Sequence, residues 1–258
     1  MPETLCQLSE NVWIFPHDKN PQKIQPNVGI ICTPTQTVVI DSGNSPRRAR
    51  SILAALESID APPVSHVIYT HHHWDHISGA CAFGVPVIAH DLCKELLAAR
   101  ALLPWSHNYI REQIQRNPLL KASYETMDQA IENWNDFQII LPDTTFSQTL
   151  NLQLDGVTLE LEHVGGHHAS DSIVVRVKER GVMFLGDCYY PPPRSQQGNS
   201  HKVSWSMLLS FLEEKAINTY VDGHADPFSS SDMFKRWGVK FLARIQRERE
   251  GQFRQPKD

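Results

Sequence analysis

The sequence predicts an α+β protein, a four-layer αββα sandwich in which two β-sheets pack face to face and helices cover the outer faces. Three observations predict it. Strand patterns followed by helix patterns fill the first half of the chain, and the same order returns in the second half. The segment between the halves, at about 104–140, carries helical periodicity and not linker composition. The length of 258 residues suits one such unit, because sandwich architectures reach this size as a single domain. The expected organisation is one domain, 1–258, with a helical insertion at about 104–140.

The elements follow in order. "NVWIF" alternates, "NVGIICT" is a mostly apolar run, and "TQTVVIDSG" closes on a turn signal, so the chain starts with strands. "SPRRARSILAALESI" reads as a helix with Ser45 as its cap and Pro46 in its first position. Ile52, Leu53, Leu56 and Ile59 supply its apolar stripe. "VSHVIYT" and "VPVIA" are the next strands, and "HDLCKELLAARALL" is a helix that Pro104 ends. In the insertion, "WSHNYIREQIQRN" and "ASYETMDQAIENWND" are helical, with Tyr124, Met127, Ile131 and Trp134 on one stripe. "TFSQTLNLQL", "VTLELEHV", "DSIVVRVK" and "GVMFLGD" are strands, the first two joined by a hairpin turn at "DGV". A helix around "SWSMLLSFLEEKAI", a short strand "TYVD", the loop "GHADP" and a last helix close the chain.

Composition narrows the function classes. Apolar residues make up 41% and charged residues 21%, as in an ordinary globular protein. The net charge of −5 argues against a nucleic-acid partner. The one basic run, "KRWGVKFLARIQRERE", reads as a solvated helix face. Five scattered cysteines without a CxxC pair argue against a disulfide framework and for a reducing compartment. The N-terminus has no signal-peptide pattern, and no apolar run approaches the roughly 18 residues of a membrane span. The expectation is a cytoplasmic protein with neither membrane nor nucleic acid as partner.

The stretch "YTHHHWDHISG" places four histidines and Asp75 at the end of a strand. In a chain still extended there, side chains alternate, so His71, His73 and Asp75 share one face while His72 and Trp74 take the other. His76 joins the first group where the backbone turns, as at a helix start. Neutral imidazole and carboxylate suit zinc, iron or manganese. Further segments end strands in the same manner. "HVGGHHASDSIVV" follows a glycine pair with His167 and His168, either of which can be a ligand; "VMFLGDCYYP" ends at Asp187; "YVDGHADP" presents His224. Four such strand ends point to a metal centre.

This pattern resembles the metallo-beta-lactamase superfamily. "HHHWDH" matches that family's H-x-H-x-D-H, and the glycine–histidine loop, "GD" after an apolar strand and the late "GH" match its other motifs in order, from "VVIDSG" to "GHADP". The resemblance implies that the two packed sheets are mixed. It also implies two divalent ions, zinc first, with iron or manganese as alternatives. His71, His73 and His168 would hold one ion and Asp75, His76 and His224 the other, with Asp187 bridging. The family loop reads H-T-P-G-S/D before an aliphatic strand. Anchoring on "SIVV" puts Ser172 at the S/D position and His168 on the family histidine, with Asp171 in place of the usual glycine.

The implied activity is hydrolysis of an ester, thioester, lactone or phosphoester of a small molecule by a hydroxide shared between the ions. Asp75 would pass a proton to the leaving group. In the family's acyl-homoserine lactonases, a tyrosine three residues after the bridging aspartate contacts the substrate carbonyl, which makes Tyr190 the second catalytic candidate. The alternatives within the fold are a mononuclear iron enzyme of the persulfide dioxygenase type and a β-lactamase-like amide hydrolase. Asp41 matches the family's D-x-G turn and is a candidate to hold the outer nitrogen of a ligand histidine. Cys188 reads as a small buried residue. Trp74, Trp105, His107 and Tyr109 are candidates for a pocket wall. Specificity should lie in the surrounding loops: the insertion, "PHDKNPQKIQPN" and "YYPPPRSQQGNSHK".

Overall fold

The computed structural model describes residues 4–192 and 204–232. The stretch "KRWGVKFLARIQRERE", read as the last helix, and most of "YYPPPRSQQGNSHK" lie outside the described residues.

Seven strands form the first sheet in chain order: β1 (Cys6–Ser9), β2 (Val12–Phe15), β3 (Val28–Cys32), β4 (Thr37–Ile40), β5 (Val64–Ile68), β6 (Val87–His90) and β7 (Thr144–Phe146). Pairing is antiparallel from β1 to β4 and parallel from β4 to β7. The second sheet contains β8 (Thr149–Leu154), β9 (Val157–His163), β10 (Ile173–Val177), β11 (Val182–Gly186) and β12 (Thr219–Asp222), in the order β12-β11-β10-β9-β8. Only β11 and β12 pair in parallel there. Both sheets are therefore mixed. Among the described residues the α-helices are α1 (Pro46–Glu57), α2 (Trp74–Ile77), α3 (Asp91–Ala101), α4 (His107–Arg116), α5 (Lys121–Ile131) and α6 (Trp205–Leu212).

Strand alternation builds the layers. Ile31, Val38, Ile40, Ile68 and Ile88 point inward from the first sheet and meet Leu159, Leu161, Ile173, Val175 and Phe184 of the second. Their chain neighbours Ile30, Val39, Val67 and Val87 point outward, against Ala49 and Ile52 of α1 and Leu97 of α3. Val174, Met183 and Leu185 leave the second sheet on its far side and pack on Leu208, Leu209 and Leu212 of α6. The insertion has a core of its own, Ile110, Met127, Ile131 and Trp134, and Trp74 plugs into it.

Several elements differ from the sequence reading. A first strand, β1, precedes "NVWIF" and turns into it through Asn11 at φ 63°. "TFSQTLNLQL" is not one strand. It divides into β7 and β8, which belong to different sheets. The apolar alternation runs through the break, so periodicity alone does not show that the chain turns a corner from one sheet to the other. Helix α1 stops at Glu57, which leaves Ile59 beyond it and exposed. The "DG" turn keeps the expected form, with Asp155 at φ 42° and Gly156 at φ 88°. All five cysteines are free thiols. No helix among the described residues is long and apolar enough to cross a membrane.

Candidate metal centre

The centre forms where β5 runs out. His73 is still extended, at φ −69° and ψ 146°, and stands just before α2 without a capping hydrogen bond from its side chain. His71 and His73 thus reach the site by alternation, whereas Asp75 and His76 reach it from the first turn of α2. The expectation that Asp75 points inward from an extended chain is corrected accordingly. Trp74 leaves the site altogether: it packs in the insertion core and donates from Nε1 to Ser123 Oγ at 3.0 Å. His107 is likewise occupied elsewhere, its Nδ1 2.7 Å from Asp128 Oδ1. His72 faces away from the cluster, with Nδ1 2.8 Å from the fully buried Asp171 Oδ1.

The other ligand candidates arrive from the second sheet. Gly165 and Gly166 adopt φ 59° and 122°, and a Cβ on Gly166 would stand 2.5 Å from the carbonyl oxygen of Cys188. Only glycine lets this loop fold onto the end of β11. The fold-back brings His168 to the centre and leaves His167 exposed. Asp187 follows β11 directly, and His224 follows β12.

Three ring nitrogens converge. His73 Nδ1 is 3.0 Å from His71 Nε2 and 2.9 Å from His168 Nε2. Beside them, His224 Nε2 is 3.1 Å from Asp75 Oδ2, and His76 Nε2 is 3.3 Å from it. Asp187 joins both sets, with Oδ2 at 3.4 Å from His168 Nε2, 3.4 Å from His224 Nε2 and 3.5 Å from His76 Nε2. Three ligand groups result: His71, His73 and His168; His71, His76 and Asp187; Asp75, His76 and His224.

Hydrogen bonds on the outer side of the rings decide which nitrogens face inward bare. Pro191 O accepts from His168 Nδ1 at 2.9 Å, because a carbonyl has no proton to give. Thr70 Oγ1 donates to Asp41 Oδ2 at 2.9 Å and so accepts from His71 Nδ1 at 3.1 Å. His71 and His168 therefore turn Nε2 lone pairs toward His73. One proton on His73 cannot satisfy both, whereas a cation between the three nitrogens satisfies all. His76 Nδ1 faces Asp41 Oδ2 at 2.7 Å, and among the described residues its buried Nε2, like Asp187 Oδ1, has no hydrogen-bond partner. The donor set fits divalent metal ions.

Electrostatics agrees. Burial and neighbouring imidazoles hold His71 and His73 well below the ordinary histidine range, so both are neutral and ready as ligands. Burial also pulls down on His76, but Asp41, Asp75 and Asp187 outweigh it and raise this pKa well above its usual value. Burial opposes and Asp187 and Asp75 raise His224, with a net pKa of about 10. Conversely, His76 and His224 overcome burial and depress Asp75 and Asp187. Protons occupy, in the metal-free protein, places a divalent cation would take.

A prediction follows from these directions. Zinc added at pH 7 displaces protons from His76 and His224, so calorimetric enthalpies measured in buffers of different ionisation enthalpy will show net proton release. Enthalpies independent of buffer contradict the assignment. In the metal-free protein, the His224 contribution to stability is complete below its ordinary value of 6.5 and fades as pH rises through about 10.

Outer partners position the ligand candidates. Asp41, at φ 63°, accepts from Thr70 N at 2.8 Å and Thr70 Oγ1 besides meeting His76. Asp41→Ala frees His76 to rotate and should weaken metal affinity about 10–100-fold with the fold retained, as read by competition with a chromophoric chelator. Unchanged affinity removes Asp41 from this role. Asp222 and Asn27 were not singled out from the sequence. Asp222 Oδ1 accepts from His224 N at 3.2 Å and Ala225 N at 2.8 Å, and its Oδ2 accepts from the Tyr189 hydroxyl. Asn27 Nδ2 donates to Asp222 O at 2.8 Å and Ala225 O at 2.7 Å, tying the early loop to the loop of His224. Asp222 ends a strand just before "GH", the same kind of position as Asp187, and this was its available signal.

The Tyr190 ring lies 6.1 Å from that of His168 and 6.4 Å from that of His224, at the edge of the cluster. Burial, Asp222 and Asp187 raise its phenol well above the ordinary range. Cys188 is fully buried in the core under α6, and burial likewise raises its thiol.

Comparison with known proteins gives a consistent result. Residues 22–224 match the model of the Metallo-beta-lactamase superfamily. A "Linear primary-alkylsulfatase" from Pseudomonas sp. (strain ATCC 19151) is 23% identical over 229 residues, covering 79% of this chain and 42% of that protein. The chain spans about two-fifths of the length of the curated relatives it matches. Among solved structures, a metallo-beta-lactamase from Pontibacter korlensis superposes with TM-score 0.58 at 20% identity, covering 88% of this chain and 93% of that one. The inverting sec-alkylsulfatase Pisa1 from Pseudomonas sp. superposes with TM-score 0.65 at 17% identity, covering 93% and 40%.

Proposed function

Because the chain belongs to the metallo-beta-lactamase superfamily, we propose that it is a hydrolase using two divalent ions, zinc first, to cleave an ester, thioester, lactone or phosphoester bond. The observation that carries this reading is the convergence of three ring nitrogens, two of them with lone pairs inward, beside a carboxylate that reaches a second donor set. His71, His73 and His168 would hold one ion; Asp75, His76 and His224 would hold the other; Asp187 reaches both. Bound there, the ions would bring the pKa of water towards about 7 and polarise the oxygen of the scissile group.

The chain's own groups divide the remaining work. Asp75, kept ionised by His76 and His224, turns Oδ2 to the second donor set, and its other carboxylate oxygen would be the one to take a proton and return it to the leaving group. Tyr190 stands beside His168 and His224, where its hydroxyl can donate to a substrate carbonyl once turned from Asp222. Asp41 and Asp222 hold the ligands in place from behind.

Alkylsulfatases among the relatives add sulfate esters to the bonds worth testing. Elemental analysis of untagged protein, run beside a panel of alkyl sulfate, lactone, thioester, phosphodiester and β-lactam substrates, tests the reading. Two zinc-type ions per chain with turnover of an ester class are expected. One tightly bound iron and no hydrolysis would favour the oxygenase alternative and end this proposal.

A further inference from the structure

Where α3 meets the insertion, several hydrogen-bond donors gather around Trp105 with few acceptors among the described residues. Arg100, in the last turn of α3, reaches the carbonyl of His72 through Nη1 at 3.4 Å. Among the described residues this is the only hydrogen bond of its guanidinium, which carries five N–H donors. Its Cζ stands 6.0 Å from the ring centre of Trp105, and Trp105 Nε1 donates back to the Arg100 carbonyl at 2.8 Å. Tyr109 and Tyr124 lie within electrostatic reach of the guanidinium and of each other. Tyr109 also packs edge-on against Trp105 at 5.2 Å. Neither phenol hydroxyl makes a hydrogen bond among the described residues.

Buried Asp171 favours the charge of Arg100 from nearby, but it takes no hydrogen bond from the guanidinium. The nearby carboxylate, Asp171, gives Oδ1 to His72, and no oxygen of it forms an ion pair with Arg100 within 4.0 Å. Its Oδ2 accepts no hydrogen bond from Arg100. The free N–H groups of Arg100 are therefore spent on neither Asp171 nor the insertion. Apart from the His72 carbonyl, no acceptor among the described residues takes a hydrogen bond from the guanidinium or from the two half-buried phenols.

We infer that Arg100, Tyr109 and Tyr124, walled by Trp105, form a recess for an oxyanion group of the substrate (a carboxylate, sulfate or phosphate) separate from the bond that is cleaved. A guanidinium fork matches two oxygens of such a group at once, and the phenols donate to the rest. The carbonyl that Arg100 touches belongs to the residue between His71 and His73, which ties Arg100 to the stretch that carries the centre. The inference rests on the hydrolase reading and deepens it: the substrate is anionic away from its scissile bond, and the insertion supplies three of the four recognising residues.

Calorimetric titration of the metal-loaded protein with benzoate, and with neutral benzamide as control, tests this without requiring turnover. Benzoate is expected to bind more tightly than benzamide. Arg100→Gln should weaken benzoate by roughly 10- to 100-fold, the loss expected for hydrogen bonds to a charged group, with metal content unchanged. Arg100→Lys should fall between, since it keeps the charge and loses the fork. Undiminished benzoate binding in Arg100→Gln would mean that the anion sits on the metals, and overturns the inference. Loss of metal and of melting temperature with unaltered benzoate affinity would make Arg100 a structural counter-charge, and overturns it equally. If Arg100→Gln does not fold, the Tyr109→Phe/Tyr124→Phe double variant decides: unchanged affinity is again fatal. A protein that hydrolyses nothing yet binds benzoate through Arg100 refutes the hydrolase reading alone, while a hydrolase indifferent to Arg100 refutes only the recess.

Discussion

Asp187→Ala is expected to reduce turnover by more than about a hundredfold, beyond the loss that follows removal of an outer partner of a ligand, and to lower the bound metal. The reason is position. Asp187 Oδ2 is the carboxylate oxygen within 3.5 Å of ligand nitrogens from both sets, His168 on one side and His76 and His224 on the other. Alanine leaves two groups of donors with nothing joining them. It also removes the charge that most raises His224. The proton on His224 should therefore come off at lower pH, and the metal-free variant should lack much of the stability that His224 gives the wild type in full below 6.5, a deficit that shrinks as pH rises through about 10. Asp187→Asn separates shape from charge, since it keeps the volume and loses the anion. Elemental analysis and kcat on both variants are the measurements. Full metal content with ordinary turnover in Asp187→Ala would remove Asp187 from the centre.

Gly223→Ala should be nearly as damaging, although glycine has no chemistry of its own. A Cβ at this position would lie 2.0 Å from Asp187 Oδ1 and 3.0 Å from both Asp187 Cγ and His76 Cε1. Neither side chain can yield cheaply. His76 is fully buried and tied to Asp41, and Asp187 is buried among the ligand rings. Overpacking of this kind costs about 1–3 kcal/mol, and here the strain falls on two ligand candidates. Metal affinity and turnover should both collapse while the far sheet stays intact. Gly84→Ala serves as the control. Its φ of +66° imposes a backbone cost of about 1–2 kcal/mol, but its Cβ meets nothing within 4 Å. Melting temperature should fall in both variants, and metal binding in Gly223→Ala alone. Equal metal affinity in the two would show that the close approach at Gly223 does not matter to the centre.

The reading of single elements from the sequence went far where the controlling physics is local. Alternation along "TVVI", "VSHVI" and "VMFLG" sorts apolar side chains into an inner and an outer layer, because successive residues on a strand must face opposite ways. Ser45 caps α1 because a serine oxygen before Pro46 meets the free N–H of Arg48, here at 3.2 Å. The donor types at four strand ends likewise depend only on residue identity and on where each strand stops. Those facts are written in the chain.

The rest depends on contacts between segments far apart in sequence. His72, an apparent surplus ligand, is occupied by Asp171 across the loop. Trp74 is drawn away from the centre by Met127 and Ile131 of the insertion. That His168, and not His167, reaches the cluster follows from Gly166 folding against the Cys188 carbonyl. Asp222 and Asn27 matter because β12 lies in register with β11, which puts the loop of His224 beside Asp187. The residue types able to bind metal, and the strand ends that carry them, were determined by the sequence alone, since ligand chemistry and strand periodicity are local properties. Which nitrogen meets which oxygen was decided only by the tertiary structure, because it depends on how two sheets bring four separate strand ends together.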